Sequence, residues 1–559
     1  MIKAKKDFKI LLIYPNLPLM LVPPLSIAIF TGLFKKAGYK VDLFDTTLYV
    51  PSETISSPQN RTLYLQARDF SDEDDLGVVI KTNLYSDYKK KVFEYKPDLI
   101  VYSIVEDAFA KALNMMDAVK DYDCVKISGG VLPTADPEYV IKKEQINFIA
   151  MGEGEITLLE VAEAVRKGEN LKNLKSTCYK DKNLKIYKNP KNKLVDINKS
   201  IPDYSLFDPK RFYRPMGGRI FKTIPIETYR GCPYQCTFCN SPMHLTQTKQ
   251  ENISHNFLRR KTITNIKQEI VEVVKLYEPK FLYFVDDSFL ARPRQEIFDF
   301  CDMYEEFKIP FWFNTRPENC KPEYLKRLKE VGSYRISFGI ECGNPDFRQK
   351  VLLRKPSNLE IVNSFKNITQ SGIAFSVNLI IGFPGETRNL VMETVELVKR
   401  IKGYDTITVS IFTPYRGTVL QKIAVKNSWL DKDHITVHTT SSSVLKMPKP
   451  YLSTKDIDGL MKTLPLYIYF PKSEWENIKK AEENNDESIK LYNYYSKIYK
   501  DNFLKTEQQS EKIFYDEKLT RQPLRAMRPN KSLENTQNEA DHINVKMSKD
   551  ELALLTMNN

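Results

Sequence analysis

Short apolar runs alternate with amphipathic stretches over about the first 170 residues of the chain. Lys9–Tyr14 (KILLIY) has the pattern of a buried strand, and Leu25–Ala37 has that of an apolar helix ending at Gly38. The same alternation predicts strands at Tyr39–Phe44, Asp98–Tyr102, Val125–Ser128 and Asn147–Ala150, and helices that end near Tyr95 or span Phe109–Lys120 and Glu155–Arg166. Five strands with covering helices predict an α/β fold, a doubly wound parallel sheet of the Rossmann or flavodoxin-like type.

Ligands of such a sheet bind in the loops that follow the strands. The corresponding loops are Tyr14–Leu25, Ser103–Asp107, Gly129–Thr134 and Gly152–Thr157. The last loop, in MGEGEIT, places glycines at a strand-to-helix turn, where backbone N–H groups face outward. A nicotinamide fingerprint is not expected, because YPNLPLMLVPP follows the first strand instead of a Gly-rich turn. A sheet without a ligand, used only for assembly, stays open as an alternative.

A second alternation of strands and helices begins at Thr223. Its predicted strands are Ile224–Tyr229, Lys280–Asp286, Pro310–Asn314, Tyr334–Ile340, Phe375–Ile381 and Asp405–Phe412. Its predicted helices are Ile263–Tyr277, Gln295–Phe307, Pro322–Val331, Asn358–Ser371 and Thr387–Ile401, and a capping box of Ser357 and Glu360 opens the fourth. Six βα repeats are too few to close an eight-stranded barrel, so a partial (β/α)6 barrel of the TIM type is expected.

These patterns divide the chain into five segments. We predict an α/β domain at 1–170, a linker with one hairpin at 171–222, the partial barrel at 223–420, a helical region at 421–518 and a disordered tail at 519–559. Pro51 to about Asp87 reads as a polar, irregular insertion. In the helical region, Ser473 and Glu476 predict a second capping box. The aromatic residues of YIYFPKSEW fit an ordinary helical core better than a cover over substrate.

The composition of the chain indicates which broad class of protein it belongs to. Hydrophobic residues make up 42% of the 559 and charged residues 28%, which is typical of a soluble globular protein. The surplus of 13 positive charges is spread along the chain, so it indicates solubility or an anionic substrate, and no nucleic-acid partner is expected. The sequence has no unbroken run of eighteen apolar residues, so no transmembrane segment is predicted. Eight cysteines in so long a chain predict a cytoplasmic protein, with peripheral membrane association left open.

Three of these cysteines lie close together in Ile226–Pro242 (IETYRGCPYQCTFCNSP). Cys232, Cys236 and Cys239 are spaced four and then three residues apart, and Phe238 precedes the last. Iron–sulfur cubanes are normally held by four thiolates, so a loop with three leaves one iron open to a small molecule. A structural zinc site would need a second Cys or His pair, and a set of buried thiols is the third alternative.

The motif RGCPYQCTFCN resembles the hallmark of the radical S-adenosylmethionine (SAM) enzymes, a C-x3-C-x2-C loop with an aromatic residue before the third Cys. In that family the open iron of a [4Fe–4S] cluster binds the amino and carboxylate groups of SAM. One electron from the cluster then cleaves SAM to a 5′-deoxyadenosyl radical. The resemblance therefore assigns Cys232, Cys236 and Cys239 to the cluster.

The resemblance also assigns SAM contacts to strand-end residues. These are Phe238, Asp286, Asn314, Arg316, Glu341, Ile380 and Gly382. Asp286 would hold the amino acid part, although a helix N-cap is an equal alternative, and Arg316 would pair with the carboxylate. Glu341 in SFGIECG matches the acid that accepts the ribose hydroxyls, and NLIIGFPGET resembles the adenine-contacting strand. Asn378 stands where family members usually place Gly.

The N-terminal domain resembles the cobalamin-binding domain of the cobalamin-dependent branch of this superfamily. The resemblance is carried by PPLSIAIFTGLFKKAGYKVDLFD, PDLIVYSIVEDAF, ISGGVLPTADPE and MGEGEITLLE. It assigns cobalamin contacts to Pro24, Leu25, Ser103, Gly129, Gly130, Val131, Gly152, Glu153, Gly154, Glu155 and Thr157. Because no histidine precedes His244, this domain offers the cobalt no imidazole, as is usual in this branch.

The resemblance implies a cobalamin-dependent radical SAM methyltransferase of class B, which uses a 5′-deoxyadenosyl radical and methylcobalamin to methylate an unactivated carbon. No catalytic side chain is expected beyond those that hold the cofactors. The substrate would be a small molecule, lipid or peptide, and a flavodoxin or ferredoxin would donate electrons. The loop Thr413–Thr418 (TPYRGT) would face the substrate. A cyclase or rearrangement enzyme, a P-methylase and a cobalamin- or redox-sensing regulator stay open as alternatives.

Overall fold

A computed structural model gives the fold of the chain. It describes residues 2–50, 61–67, 77–216, 219–436 and 442–504. The predicted tail at 519–559 and much of the predicted insertion after Pro51 lie outside these ranges.

The N-terminal domain is built on a seven-stranded sheet. Its strands are β1 (Lys9–Tyr14), β2 (Lys40–Asp45), β3 (Leu99–Ser103), β4 (Val125–Gly129), β5 (Phe148–Ala150), β6 (Thr177–Lys180) and β7 (Ile186–Lys188). Its helices are Leu25–Lys36, Leu84–Tyr95, Phe109–Ala118, Val131–Ala135, Pro137–Ile141 and Gly154–Lys167. The first five strands are parallel in the order 2-1-3-4-5, the flavodoxin-like order, and this confirms the predicted doubly wound sheet.

The predicted linker at 171–222 needs a correction. Its hairpin exists, but β6 pairs antiparallel with β5 and so extends the N-terminal sheet. The short strand β5 would otherwise leave a row of unpaired backbone groups at the sheet edge, and β6 satisfies them. The second sheet also begins earlier than predicted, at Tyr213.

The second sheet confirms the predicted partial barrel. Its strands are β8 (Tyr213–Met216), β9 (Arg219–Ile226), β12 (Phe281–Phe284), β13 (Phe311–Thr315), β14 (Ser333–Glu341), β15 (Ala374–Ile381) and β16 (Thr406–Ile411), and a separate ribbon pairs β10 (Tyr229–Arg230) with β11 (Arg259–Arg260). The sheet order is β16-β15-β14-β13-β12-β9-β8, in which six strands are parallel and β8 is an antiparallel edge. The barrel is therefore open between β8 and β16.

Helices cover the outer face of the barrel. They are Asn240–Gln250, Ile263–Tyr277, Arg294–Tyr304, Pro322–Glu330, Pro345–Lys350, Asn358–Ser371, Arg388–Lys399 and Val419–Lys426. The capping box of Ser357 and Glu360 is present as predicted. Cys301 is fully buried in this layer, in agreement with its predicted place in the core.

The C-terminal region is helical, with helices at Thr454–Tyr469, Trp475–Lys480 and Asp486–Tyr499. The predicted capping box of Ser473 and Glu476 is wrong. Lys472–Glu474 form a 3-10 turn, and the α-helix begins only at Trp475. The Trp475 indole donates to the Tyr467 carbonyl at 3.2 Å. The aromatic residues here pack on one another, as expected of a helical core. Within the described part of the chain, none of the helices has the length and apolar character needed to cross a bilayer.

Candidate functional site

The cysteine loop lies at the carboxyl end of the first barrel strand. β9 ends at Ile226, and the loop runs to Cys239, where the helix Asn240–Gln250 begins. Gly231 adopts φ 97°, and a Cβ there would lie 2.6 Å from the Phe257 carbonyl oxygen. A glycine is therefore required at this position, directly before the first cysteine.

Further contacts hold the loop against the barrel. The Thr237 hydroxyl donates to the Val351 carbonyl at 2.7 Å, and the Leu420 amide donates to the Thr237 carbonyl at 3.2 Å. The helix Asn240–Gln250 that follows was not predicted from the sequence. Its sequence, NSPMHLTQTKQ, has little apolar periodicity, so the pattern gave no signal for a helix.

The three thiols suit a cluster that binds through thiolates. Cys236 is buried, Cys232 and Cys239 are half-buried, and none forms a disulfide. Burial raises the pKa of Cys232 to about 11 and that of Cys239 to about 12, so a bound metal would be needed to keep these sulfurs ionised. The Arg316 guanidinium donates to the Cys236 sulfur at 2.6 Å, which favours a negative charge there.

Two polar atoms beside the thiols have no partner. The side-chain oxygens of Gln235 and Asn240 are buried without a hydrogen bond. Buried polar atoms are normally paired, so these two indicate space for a bound group at the loop. No three His, Cys, Asp or Glu side chains in the described ranges converge closely enough to hold a single metal ion. The donor set of three thiols, with guanidinium N–H groups around it, fits a cluster.

Arg316 lies beside the cysteine loop, and its pairing with the SAM carboxylate stays a prediction. Its guanidinium lies over the Tyr234 ring at 3.5 Å and also contacts Glu318 at 3.4 Å. The Tyr234 hydroxyl donates to the Asn319 side-chain oxygen at 2.8 Å. The loop and the turn after β13 are therefore locked together.

Glu341 joins this group through an arginine that sequence reasoning missed. Arg354 lies 3.6 Å from a Glu341 carboxylate oxygen and 3.9 Å from the Cys236 sulfur. Glu341 has φ 67° at a β-bulge, and any Cβ at Gly339 would lie 2.1 Å from its carboxylate. Burial raises the pKa of Glu341, and the nearby Arg354 and Arg316 oppose this rise. The carboxylate predicted to meet the ribose is thus linked through Arg354 to Cys236, a predicted cluster ligand.

Asp286 is held by protein groups. Its carboxylate accepts from the backbone amides of Thr228 at 2.8 Å and Tyr229 at 3.0 Å, and from Arg292 at 2.5 Å. It therefore fixes the chain that leads into the cysteine loop. The alternative role of helix N-cap is wrong, because the next helix begins at Arg294. Contact with SAM stays a prediction for Asp286.

The other predicted SAM residues lie on the same edge of the barrel. Phe238 packs against Phe383 with ring centroids 5.5 Å apart. Phe383 follows Gly382, which has φ 81°, and Ile380 is half-buried on β15. The Asn314 amide donates to the Tyr283 hydroxyl at 3.0 Å, so this predicted contact already has a protein partner.

Glu386 is a further buried acid that the sequence did not single out. Its carboxylate accepts from the amides of Gly382 at 2.6 Å and Phe383 at 3.2 Å, and its other oxygen has no partner. Burial raises its pKa to about 8, although the two amides oppose this rise. Glu386 thereby shapes the turn after β15.

The acids of the predicted cobalamin loops face the barrel. Glu153 pairs with Arg259 at 2.6 Å and with Arg230 at 3.2 Å, and Glu155 pairs with Arg230 at 2.7 Å. Arg230 also binds Glu227 at 2.8 Å. Glu153 and Glu155 are both engaged in ion pairs with arginines of the β10–β11 ribbon, so contact with cobalamin stays a prediction for them.

Other residues of these loops are used inside the N-terminal domain. Thr157 is buried and accepts from Asn192 at 3.2 Å, and the Gly152 amide donates to Thr134 at 2.9 Å. A Cβ at Gly130 would lie 2.5 Å from the Ile104 carbonyl, and one at Gly154 would lie 2.8 Å from the Phe30 ring. Packing therefore accounts for Gly130 and Gly154. The rest of the predicted set is Pro24, Leu25, Ser103, Gly129 and Val131.

Apolar side chains are exposed at this carboxyl edge. Met20 after β1, Val131 after β4 and Ile156 after β5 are 38%, 37% and 39% exposed. In the sheet, β4 and β5 are neighbours, and β3 alone separates β1 from β4. Exposed apolar residues at a ligand-binding edge fit a large, partly apolar ligand such as a corrin ring.

The loop Thr413–Thr418, which was expected to face substrate, contacts the N-terminal domain. Arg416 pairs with Asp136 at 2.9 Å and lies over the Tyr139 ring at 3.7 Å, so it contacts the N-terminal domain. A cleft of about 320 Å³ lies beside it. Its lining includes Asp136, Cys236, Cys239, Met243 and Arg416. Arg416, Gly417 and Thr418 of the loop line this cleft, so contact with substrate stays a prediction for the loop.

Comparisons with known proteins agree with this geometry. Residues 226–398 match the Radical SAM superfamily. An uncharacterized methyltransferase of Pyrococcus horikoshii is 26% identical over 69% of this chain and 81% of its own length. Cytidylyl-2-hydroxyethylphosphonate methyltransferase of Streptomyces wedmorensis is 21% identical over 76% of this chain and 82% of its own. Residues 226–398 therefore form a radical SAM domain.

Two solved structures extend the likeness to the N-terminal domain. The cobalamin-dependent SAM radical enzyme OxsB, with aqua-cobalamin and SAM bound, superposes with a TM-score of 0.59 at 15% identity, covering 89% of this chain and 72% of OxsB. TsrM from Kitasatospora setae, with cobalamin and a [4Fe–4S] cluster bound, gives 0.55 at 14% identity over 83% of this chain and 82% of TsrM. The chain has the fold of the cobalamin-dependent members of the radical SAM superfamily.

Proposed function

We propose that the chain is a cobalamin-dependent radical SAM methyltransferase that methylates an unactivated carbon. When bound, the [4Fe–4S] cluster, SAM and cobalamin would supply the radical chemistry and the methyl group. The observation that carries the proposal is the convergence of Cys236, Arg316, Arg354 and Glu341 at the barrel edge. The methyltransferase names of two relatives support the same reaction.

The residues at the barrel edge would hold and orient the cofactors. Cys232, Cys236 and Cys239 would bind three irons of the cluster, and the two arginines would stabilise the charge on the Cys236 sulfur. Glu341 would accept hydrogen bonds from the ribose hydroxyls. Because the Glu341 carboxylate is buried, such hydrogen bonds would face little competition from water.

The carboxyl edge of the N-terminal sheet would hold cobalamin. The exposed apolar residues Met20, Val131 and Ile156 would pack on the corrin, and backbone groups near Ser103 and Gly129 would contact its side chains. No histidine of the first 243 residues is available as a cobalt ligand. The corrin would therefore be held without an imidazole from this domain.

We also propose a flavodoxin or ferredoxin as electron donor and a small-molecule, lipid or peptide substrate. All eight cysteines are free, which supports a cytoplasmic location. The alternatives of cyclase or rearrangement enzyme, P-methylase and redox-sensing regulator give different products, so one experiment separates them.

The test is anaerobic reconstitution of the full chain with iron, sulfide and hydroxocobalamin, followed by reduction and addition of SAM that carries a deuterated methyl group. We expect corrin uptake, 5′-deoxyadenosine and S-adenosylhomocysteine, measured by mass spectrometry. 5′-Deoxyadenosine without label transfer to cobalamin would favour a cyclase or rearrangement enzyme. Absence of both 5′-deoxyadenosine and S-adenosylhomocysteine would contradict the proposal and favour the redox-sensing regulator. With a substrate in hand, label on phosphorus would identify a P-methylase.

A further inference from the structure

The loop Thr413–Thr418 is fixed to the cysteine loop at one end. It follows β16 and leads into the helix Val419–Lys426. The amide of Leu420, in the first turn of this helix, donates to the Thr237 carbonyl at 3.2 Å. Thr237 lies between the second and third cysteines of the cysteine loop. A shift at this end of the loop would therefore disturb the segment that carries the predicted cluster ligands.

Hydrogen bonds and packing also hold the loop Thr413–Thr418 in one shape. The Thr418 hydroxyl donates to the Tyr415 carbonyl at 2.7 Å, and the Thr418 amide donates to the same carbonyl at 3.2 Å. Gly417 has φ 85°, and a Cβ there would overlap the Met243 sulfur. Met243 belongs to the helix that begins directly after the third cysteine. The loop thus packs on a second element that is joined to the cysteine loop.

Two acids that follow β3 hold this loop from the side of the N-terminal domain. The Glu106 carboxylate accepts from the backbone amides of Arg416 at 2.8 Å and Thr436 at 3.2 Å. Glu106 is 5% exposed, so loss of its carboxylate would leave two amides without a partner in a buried place. The Tyr415 hydroxyl donates to Asp107 at 3.1 Å. Both acids belong to the loop after β3, which is predicted to contact cobalamin.

The Arg416 side chain binds the segment that follows β4. Its guanidinium donates to Asp136 at 2.9 Å and to the Lys432 carbonyl at 2.7 Å, and it lies over the Tyr139 ring at 3.7 Å. Asp136 in turn accepts from the Tyr139 amide at 3.0 Å, so the group that pairs with Arg416 is itself held in place. The loop after β4 is the second of the predicted cobalamin loops. Arg416 therefore connects it to the barrel.

A separate attachment joins the two domains at the loop after β5. There Glu153 and Glu155 form ion pairs with Arg230 and Arg259 of the β10–β11 ribbon. Domains of one chain move relative to each other by default unless their interface is extensive. One attachment would allow rotation about it, whereas two attachments at different loops restrict that rotation. The contacts of the loop Thr413–Thr418 therefore fix the orientation of the N-terminal sheet edge relative to the cysteine loop.

We propose that the loop Thr413–Thr418 sets the spacing between the predicted cluster and the predicted cobalamin, and that Arg416 and Glu106 are its positioning residues. Through these two residues the loop is bonded to both cobalamin loops, after β3 and after β4, while its other end is bonded to the cysteine loop. A misplacement of about 1 Å can cost about 100-fold in rate, so the spacing bears directly on methyl transfer. This inference rests on the proposed function, because both cofactors belong to it.

The test measures magnetic relaxation in the full chain reconstituted with iron, sulfide and hydroxocobalamin. After partial reduction with titanium(III) citrate, a reduced cluster speeds the relaxation of cob(II)alamin, and this effect falls steeply with the distance between the two centres. We expect the microwave power at half-saturation of the cob(II)alamin EPR signal to rise when the cluster is reduced. In Arg416→Gln this rise, per bound corrin, should be at least threefold smaller. Arg416→Lys keeps the charge opposite Asp136 and should lose less.

Arg327→Gln is the matched control. Arg327 pairs with Asp302 at 2.8 Å and with Glu305 at 2.7 Å, so its ion pairs resemble that of Arg416 but lie among the outer helices of the barrel. This variant should show the same relaxation as the unchanged protein. A purely structural role of Arg416 would lower the melting temperature and leave the relaxation of the folded, loaded protein unchanged.

Glu106→Gln provides a second variant if Arg416→Gln does not fold, as judged by melting temperature and iron content. It keeps the size of the side chain but turns an N–H2 group toward one of the two amides, so the rise should again be smaller. Equal relaxation in these variants and the control, or no relaxation effect in the unchanged protein, overturns the proposal. Failure of the unchanged protein to take up corrin overturns the proposed function as well. Because the measurement needs no substrate, the expected relaxation without methyl transfer would contradict the proposed function alone.

Discussion

The two large sheets both carry acids at or just after the carboxyl ends of parallel strands, and these acids have different surroundings. At the barrel edge, Glu341 lies beside Arg354, which reaches the Cys236 sulfur. At the edge of the N-terminal sheet, Glu153 and Glu155 reach across to arginines of the barrel. The position of an acid at the end of a strand therefore does not determine its role. The element that packs opposite decides whether it serves a cofactor or an interface.

The largest effect is expected from removing the Cys236 sulfur, which Arg316 and Arg354 both contact at the barrel edge. Cys236→Ala should abolish cluster assembly, because two remaining thiolates are too few to hold a cubane at this loop. We expect loss of iron and sulfide from the reconstituted protein and no 5′-deoxyadenosine. Cys301→Ala is the control, because Cys301 is equally buried but lies in the core, so its variant should keep iron. Full iron content in Cys236→Ala would contradict the assignment of this residue.

A smaller effect is expected from the arginine that links Glu341 to the cluster loop. Arg354→Gln leaves a buried carboxylate without its partner, which should lower the free energy of unfolding by about 3 kcal/mol. The rate of 5′-deoxyadenosine formation should fall about 100-fold at full iron content, as expected when a positioning contact is lost. The double variant Arg354→Gln with Glu341→Gln should recover part of the stability but not the rate.

Arg348→Gln is the matched control for this prediction. Arg348 is buried nearby and donates to the carbonyls of Cys342 at 2.9 Å and Pro356 at 2.7 Å, without an acid. Its loss should destabilise the fold yet leave the rate per folded, iron-loaded enzyme unchanged. Equal loss of rate in both variants would mean that Arg354 acts only through stability.

The smallest effects are two pH dependences of opposite sign. Burial alone would raise the pKa of Glu153, but Arg259 and Arg230 outweigh it, and the pKa lies below the ordinary 4.5. Glu153 therefore stabilises the fold above about pH 4.5, and this contribution is lost as the pH falls through its lowered pKa. The pKa of Glu386 is raised to about 8, so its ionisation costs stability as the pH rises from 4.5 through 8.

Denaturant midpoints measured between pH 4 and pH 9 would test both signs. Glu153→Gln should be less stable than the unchanged protein at pH 7, by about 1–3 kcal/mol, with the difference shrinking toward acid pH. Glu386→Gln should match the unchanged protein near pH 4.5 and exceed its stability above pH 8. Parallel pH profiles for both variants and the unchanged protein would refute the contrast between the two edges.

Local patterns in the sequence were enough to predict the fold and to single out the cysteine loop as a candidate site. The strand Lys9–Tyr14 and the helix Asn358–Ser371 have the predicted bounds, because their periodicity and caps are local. The cysteine spacing is local too, and Glu341 was found through a motif. These features depend on neighbours within a few residues, which a single sequence displays directly.

Contacts between distant segments could not be predicted in this way. A short helix, Pro345–Lys350, separates Arg354 from Glu341, and nothing in VLLRK marks Arg354 as a neighbour of Cys236. Glu153 and Glu155 sit in a glycine-containing turn that resembles a ligand loop, but their partners are more than 70 residues away in the chain. The hairpin of the predicted linker is present, but its pairing with the N-terminal sheet was not predicted.

Residues 61–67 have a consequence for how this protein could diversify. The Gln66 side-chain oxygen accepts from the Val409 amide of β16, the last barrel strand, although residues 61–67 precede most of the N-terminal sheet in the chain. Their side chains can therefore vary without altering any barrel strand or the cysteine loop. Exchanging this short stretch would be the least disruptive way to change the surface beside β16 for a new compound.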